Sequence, residues 1–185
     1  MILNAATMFG SAATAVYALN VLGLSPAVFA LLSTFAAMGG LVASVSAPAL
    51  LTHFGIGRTR ILASIACVPA VALTPLAQVL PGFPALWLGV SAFGWAFLVV
   101  VISASGAGII PRISHFRRLG TVMASNRLFV LGVMPAASLA GGALAEWVGV
   151  QPVLWIWALL AGASAIPIVL SPMRTWTELP AGSDS

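Results

Sequence analysis

Hydrophobic residues fill 61% of the 185 positions and charged residues only 5%, with a mean hydropathy of +1.14. Soluble domains carry roughly 25% charge, and a chain of this size folding in water coats one core with Lys, Glu and Asp; here there is no lysine and the only acids are Glu146, Glu178 and Asp184. Lipid is therefore the expected solvent, and the net charge of +4 comes from arginines set in apolar surroundings rather than from the basic stretch of a soluble nucleic-acid module.

Cys67 stands alone inside an apolar run, which rules out a disulfide or a thiolate metal site within one chain. No cofactor is expected. The N-terminus lacks the positive region of a signal peptide. Met1 runs almost directly into apolar sequence, with no cytoplasmic lead, which favours a fragment over a self-sufficient protein.

A bilayer core of about 30 Å takes roughly 20 apolar residues per helix. Dividing the chain at its Gly, Pro and Arg clusters predicts an all-α membrane protein with six transmembrane helices, at about 2–22, 26–51, 61–80, 84–110, 122–148 and 152–170. Together they form a transmembrane domain over residues 1–171, and 172–185 reads as a flexible cytoplasmic tail.

The first segment carries Asn4, Thr7, Ser11 and Thr14 at steps of three, four and three, which puts all four on one helical face. Such a stripe either lines a polar path through a bundle or bonds back to its own helix and ties neighbours together. The second segment holds the pair Gly39 and Gly40. Arg58 and Arg60 follow it, in a connection that also contains Gly55 and Gly57. In the fourth, Trp87, Ser91 and Trp95 recur at intervals of four; their aromatic faces suit a flat apolar or cationic substrate, or simply pack against lipid and neighbours. Arg127 is the one charge placed well inside a segment. Glu146, near the opposite end of the same segment, is about 28 Å away at 1.5 Å per residue, too far to pair. Arg127 therefore marks a functional position by the cost of intramembrane charge or snorkels to the surface. Gly132, Pro135, Gly141 and Gly142 suit a kink and close packing in the fifth segment. No acid other than Glu146 falls in any segment, so this chain supplies no obvious carboxylate for proton coupling.

Basic residues concentrate in cytoplasmic connections, and the arginines test the division independently. Arg58 and Arg60 lie between segments two and three; Arg112, Arg117 and Arg118 lie between four and five; Arg174 follows six. The other connections carry none, which places both termini inside. Trp87, Trp147, Trp155 and Trp176 fall near predicted ends, as interfacial aromatics do. An internal echo is also present: His53-Phe54-Gly55-Ile56 joins segments two and three, and Trp147-Val148-Gly149-Val150 joins five and six. Equivalent turns of this kind are expected of two inverted three-helix units.

These residues resemble the second six-helix half of bacterial major facilitator superfamily (MFS) transporters, in the efflux branch that contains macrolide and siderophore exporters. Tyr17-Ala18-Leu19 with Val21-Leu22-Gly23-Leu24-Ser25-Pro26 is similar to that branch's turn after its seventh helix, and Gly39-Gly40 to the glycine pair of its eighth. Phe54-Gly55-Ile56-Gly57-Arg58-Thr59-Arg60 resembles the basic cytoplasmic turn that repeats the superfamily's signature loop. Pro111 through Leu119-Gly120-Thr121-Val122, with Ala124-Ser125 and Arg127, resembles the loop entering the eleventh helix. Where the signature loop would carry an aspartate the nearest residue is Thr52, so no charge relay is carried over.

The resemblance implies an MFS C-terminal domain with a three-plus-three inverted repeat in the bacterial inner membrane. It implies export of a small molecule by an assembly with an N-terminal half or a second copy of the chain. It also places Asn4, Thr7, Ser11, Thr14, Trp87, Ser91 and Trp95 along a substrate cavity, and Gly55, Gly57, Arg58 and Arg60 in a gating loop. An inactive truncated fragment and a structural membrane subunit are the alternatives. An intramembrane serine protease is the enzymatic rival, on Ser103-Ala104-Ser105-Gly106, but His53 and His115 fall in predicted loops, out of reach as a base; no enzymatic activity is expected.

Overall fold

A computed structural model describes residues 2–107, 119–164 and 166. Among these the chain is all-helical, with no strand. Helix α1 spans Ile2–Val16 and continues as a π-helical stretch over Tyr17–Val21, where the Leu22 N–H reaches the Tyr17 carbonyl at 3.0 Å. Then come α2 (Pro26–Phe54), α3 (Ile56–Leu76), α4 (Pro84–Ala107), α5 (Leu119–Val148) and α6 (Val150–Ala163).

The starts and stops have local causes. Pro26 opens α2 in the first turn, where its missing N–H costs nothing. Ser25 caps the same turn by accepting from the Val28 N–H at 3.3 Å. The entire connection between α2 and α3 is Gly55, at φ 78° and ψ 159°, a conformation that a side chain would strain. Gly149 does the same between α5 and α6, at φ 87° and ψ 162°. The echo in sequence is thus an echo in backbone geometry. It also corrects an expected boundary: Arg58 and Arg60 belong to the first turns of α3, which begins at Ile56, and not to a loop. A single positive-φ glycine reverses the chain and leaves no residues over for one. The buried Thr59 hydroxyl fastens the corner by donating to the Leu50 carbonyl at 3.2 Å.

Among the described residues three helices, Pro26–Phe54, Ile56–Leu76 and Pro84–Gly106, are long and apolar enough to cross a membrane. The bundle's surface agrees with a lipid environment. Large apolar side chains point outward, among them Leu41, Val45, Leu139 and Leu159, each more than two-thirds exposed, whereas close to half of the main buried cluster is alanine, including Ala6, Ala13, Ala43, Ala47, Ala158 and Ala161. Lipid tails are as apolar as leucine, so burial of large side chains brings little and close backbone approach brings more.

Helix α4 packs against α2 and α3, α1 packs against α5 and α6, and α3 meets α6 between the two groups. Two crossings bring backbone onto backbone: a Cβ at Gly39 would run into the Phe93 carbonyl oxygen of α4, and a Cβ at Gly141 into the Phe9 carbonyl oxygen of α1. Gly40 and Gly142, their sequence neighbours, have room. Gly132 and Pro135 are exposed, and Gly132 has open space where a side chain would stand. Far along the chain, Tyr17 ties α1 to α3. Its buried hydroxyl donates to the Pro75 carbonyl at 3.3 Å, one of the last carbonyls of α3, which lack intrahelical partners.

Replacing Gly39 or Gly141 by Ala is expected to destabilise the fold by about 1–3 kcal/mol, the usual effect of overpacking. Gly40→Ala, whose nearest neighbour would be Val100 at 3.9 Å, should leave stability unchanged. Thermal unfolding in detergent followed by circular dichroism checks this; equal midpoints for all three variants would show that the crossings do not limit stability.

Candidate functional site

Thr7, Ser11 and Thr14 project from α1 into a cavity of about 240 Å³. The opposite wall is α4, with Leu88, Ser91, Ala92 and Trp95; α2 adds Phe29, Leu32, Ser33 and Ala36, α3 adds Thr74, and α6 adds Trp157. The cavity lies toward the end of the bundle where α2 starts, α3 stops and α4 starts, away from Gly55. Five residues expected along a cavity, Thr7, Ser11, Thr14, Ser91 and Trp95, are therefore brought together. Two are not. Asn4, one turn before Thr7, is half-buried outside the lining. Trp87 sits beside a satellite cluster of Leu32, Ala77 and Leu88, its indole N–H donating to the Pro81 carbonyl at 3.1 Å.

The hydroxyls on α1 are already engaged. Thr7 donates to Leu3 at 2.8 Å, Ser11 to Met8 at 3.0 Å and Thr14 to Gly10 at 2.8 Å, all backbone carbonyls of the same helix. Facing a cavity and bonding back to one's own helix are thus not alternatives here; the same side chains do both. Their oxygens keep free lone pairs toward the cavity and offer it acceptors. Across the cavity, Thr74 and Ser91 are both buried and share one hydrogen bond of 2.8 Å.

Trp95 and Trp157 meet edge to face, with ring centroids 5.2 Å apart and planes at 72°, a preferred aromatic geometry. Trp157 reaches this place because Gly10 has no side chain; a Cβ there would collide with the indole ring. The Trp157 indole nitrogen is buried without a hydrogen-bond partner among the described residues. Neither Trp157 nor Thr74 is singled out by sequence spacing, since both arrive from other helices. Phe9-Gly10-Ser11-Ala12 and Phe93-Gly94-Trp95-Ala96 share the pattern Phe-Gly-x-Ala, with Ser11 and Trp95 of the cavity at the third position, but no such pattern marks Thr74 or Trp157.

The other candidate positions lie elsewhere. Gly55 and Gly57 are buried at the α2–α3 corner, Arg58 is exposed, and Arg60 is half-buried beside Gly106 of α4, its Nε enclosed without a partner among the described residues. Arg127 belongs to α5, and its side chain lies outside the described residues, as do Arg112, Arg117, Arg118, His115, Arg174, Trp176 and the tail. Trp147 is 87% exposed at the end of α5, in keeping with an interfacial aromatic. The Ser105 hydroxyl donates to the Ile102 carbonyl at 2.6 Å. No group of three or more His, Cys, Asp or Glu residues suited to a metal ion occurs among the described residues.

Comparisons with protein families, with curated proteins and with solved structures find no match to this chain. The resemblance to transporter halves thus rests on the residues quoted for it.

The Thr74–Ser91 bond joins α3 to α4 at the cavity wall. Hydrogen bonds between membrane helices couple by about 0.6 kcal/mol on average and up to about 1.7. A double-mutant cycle of Thr74→Val and Ser91→Ala, read by chemical unfolding in detergent, should give a coupling energy in that range. Strict additivity would show that the hydroxyls do not stabilise each other.

Proposed function

We propose that this chain is the C-terminal six-helix half of an MFS-type exporter in a bacterial inner membrane, with both termini cytoplasmic, and that its cavity is one wall of the path for a small molecule. In this proposal it works with an N-terminal half or with a second copy of itself, and performs no enzymatic chemistry.

One observation carries the proposal: polar and aromatic residues of α1 and α4 converge on a single cavity from equivalent positions. Thr7 and Ser91, and likewise Ser11 and Trp95, stand 84 residues apart in sequence, and all four line it. A mostly apolar and aromatic lining with a few converging hydroxyls is the usual make-up of a small-molecule site. The packing supports an inverted repeat as well. Exchanging α1, α2 and α3 for α4, α5 and α6 turns the contacts of α4 with α2 and α3 into those of α1 with α5 and α6. The same exchange matches Gly55 with Gly149, and the crossing of Gly39 on Phe93 with that of Gly141 on Phe9. Transporters built from such repeats hold substrate where the repeats meet. With the arginine-bearing connections inside, the cavity belongs to the outer half of the membrane.

Topology and transport test this together. In a Cys67→Ala background, Phe83→Cys should react with an impermeant maleimide on intact cells, and Arg58→Cys only after permeabilisation; the reverse pattern overturns the orientation. In vesicles the purified chain, paired with itself, should export a fluorescent small molecule, and Ser91→Trp, which fills the cavity, should cut the rate by about tenfold or more, or about 1.4 kcal/mol of barrier. Transport unaffected by that filling would remove the cavity from the path.

A further inference from the structure

We infer that the cavity takes an uncharged aromatic molecule bearing one hydrogen-bond donor, of the phenol or indole class, with its donor turned to α1. This rests on the cavity being a substrate site, and it follows from what the walls can and cannot offer.

Charge is the first discriminator. Among the described residues no Arg, His, Asp or Glu lines the cavity, and an ion taken out of water with no partner loses far more than the walls can return. Hydrogen-bond polarity is the second. The α1 hydroxyls have given their protons to Leu3, Met8 and Gly10, so a ligand meets three acceptors on this wall. They lie along one helix face, at steps of four and three residues, in a line that a single planar molecule can follow. A ligand offering only acceptors to α1 would set lone pairs against lone pairs.

The remaining walls fix the rest of the ligand. Trp95 and Trp157, set edge to face, present an aromatic corner, while Phe29, Leu32, Ala36, Leu88 and Ala92 are apolar. Opposite α1, the Thr74–Ser91 pair uses one proton between its two hydroxyls and keeps one free. A phenolic oxygen both donates and accepts, and so answers both walls with one atom. The volume of about 240 Å³, just below the roughly 300–1,000 Å³ of sites for drug-sized ligands, suits one or two fused rings.

Calorimetric titration of the full chain in lipid nanodiscs, blanked against empty discs, with four naphthalene probes tests this. 2-Naphthol should bind about tenfold or more tightly than its methyl ether, which keeps the shape and loses the donor. Naphthylmethylammonium and 2-naphthoate should both bind more weakly than the naphthol. Ser11→Ala, at an exposed position, should narrow the gap between naphthol and ether, and so should Thr14→Val, whereas Thr14→Ser should preserve it. Equal affinities of naphthol and ether, or tightest binding of either ion, overturn the ligand class while leaving a binding cavity. No saturable binding of any probe overturns the class and the cavity reading together.

Discussion

Everything in this bundle depends on how closely its helices approach where they cross. In lipid there is no hydrophobic gain from bringing two apolar helices together, so dispersion, hydrogen bonding and the release of lipid must hold them. Dispersion falls off within an ångström of contact. The crossings of α2 with α4 and of α5 with α1 meet this demand in one way: a glycine Cα of one helix lies on a phenylalanine carbonyl of the other. Between them these contacts set the positions of α1 and α4, the two helices that face each other across the cavity.

Gly10 links that packing to the site. It follows Phe9, so the residue whose carbonyl receives Gly141 is adjacent to the one on which the Trp157 ring lies. A shift at the α1–α5 crossing moves Gly10, and with it the aromatic corner formed by Trp157 and Trp95. Helix packing and cavity shape are consequently not separable here. The same logic bears on residue size: alanines recur in the core where helices touch, and many leucines and valines stand on the lipid-facing surface.

Polar groups obey a second constraint, since an unpaired donor in an apolar medium is expensive. The α1 hydroxyls meet it within a single turn of their own helix, which lets them stand beside a cavity whether or not it is filled. Tyr17 and Thr59 meet it at helix ends instead, bonding to carbonyls of Pro75 and Leu50 and so serving as staples between helices. Only Arg60, Ser64 and Trp157 keep buried polar atoms without partners among the described residues; of the three residues only Trp157 lines the cavity, with its indole nitrogen closed off.

The sequence by itself pointed to lipid, to the all-helical class and to five of the residues that line the candidate cavity, because each follows from a local property. Composition speaks for lipid, the length of apolar runs for helices, and a three- and four-residue step puts Thr7, Ser11 and Thr14 on one face. It misplaced the start of α3, because the propensity of Gly55 to turn the chain in a single residue is set by a φ that no composition rule reveals. It also grouped Asn4 and Trp87 with the cavity, since periodicity identifies a face but not how far along that face a partner helix extends. Tertiary structure alone decided that Thr74 and Trp157 complete the walls, that Gly39 and Gly141 lie where backbones touch while their neighbours have room, and that the hydroxyls of α1 present acceptors. All three depend on the distance between helices far apart in the chain, and that distance is fixed by where the backbones touch.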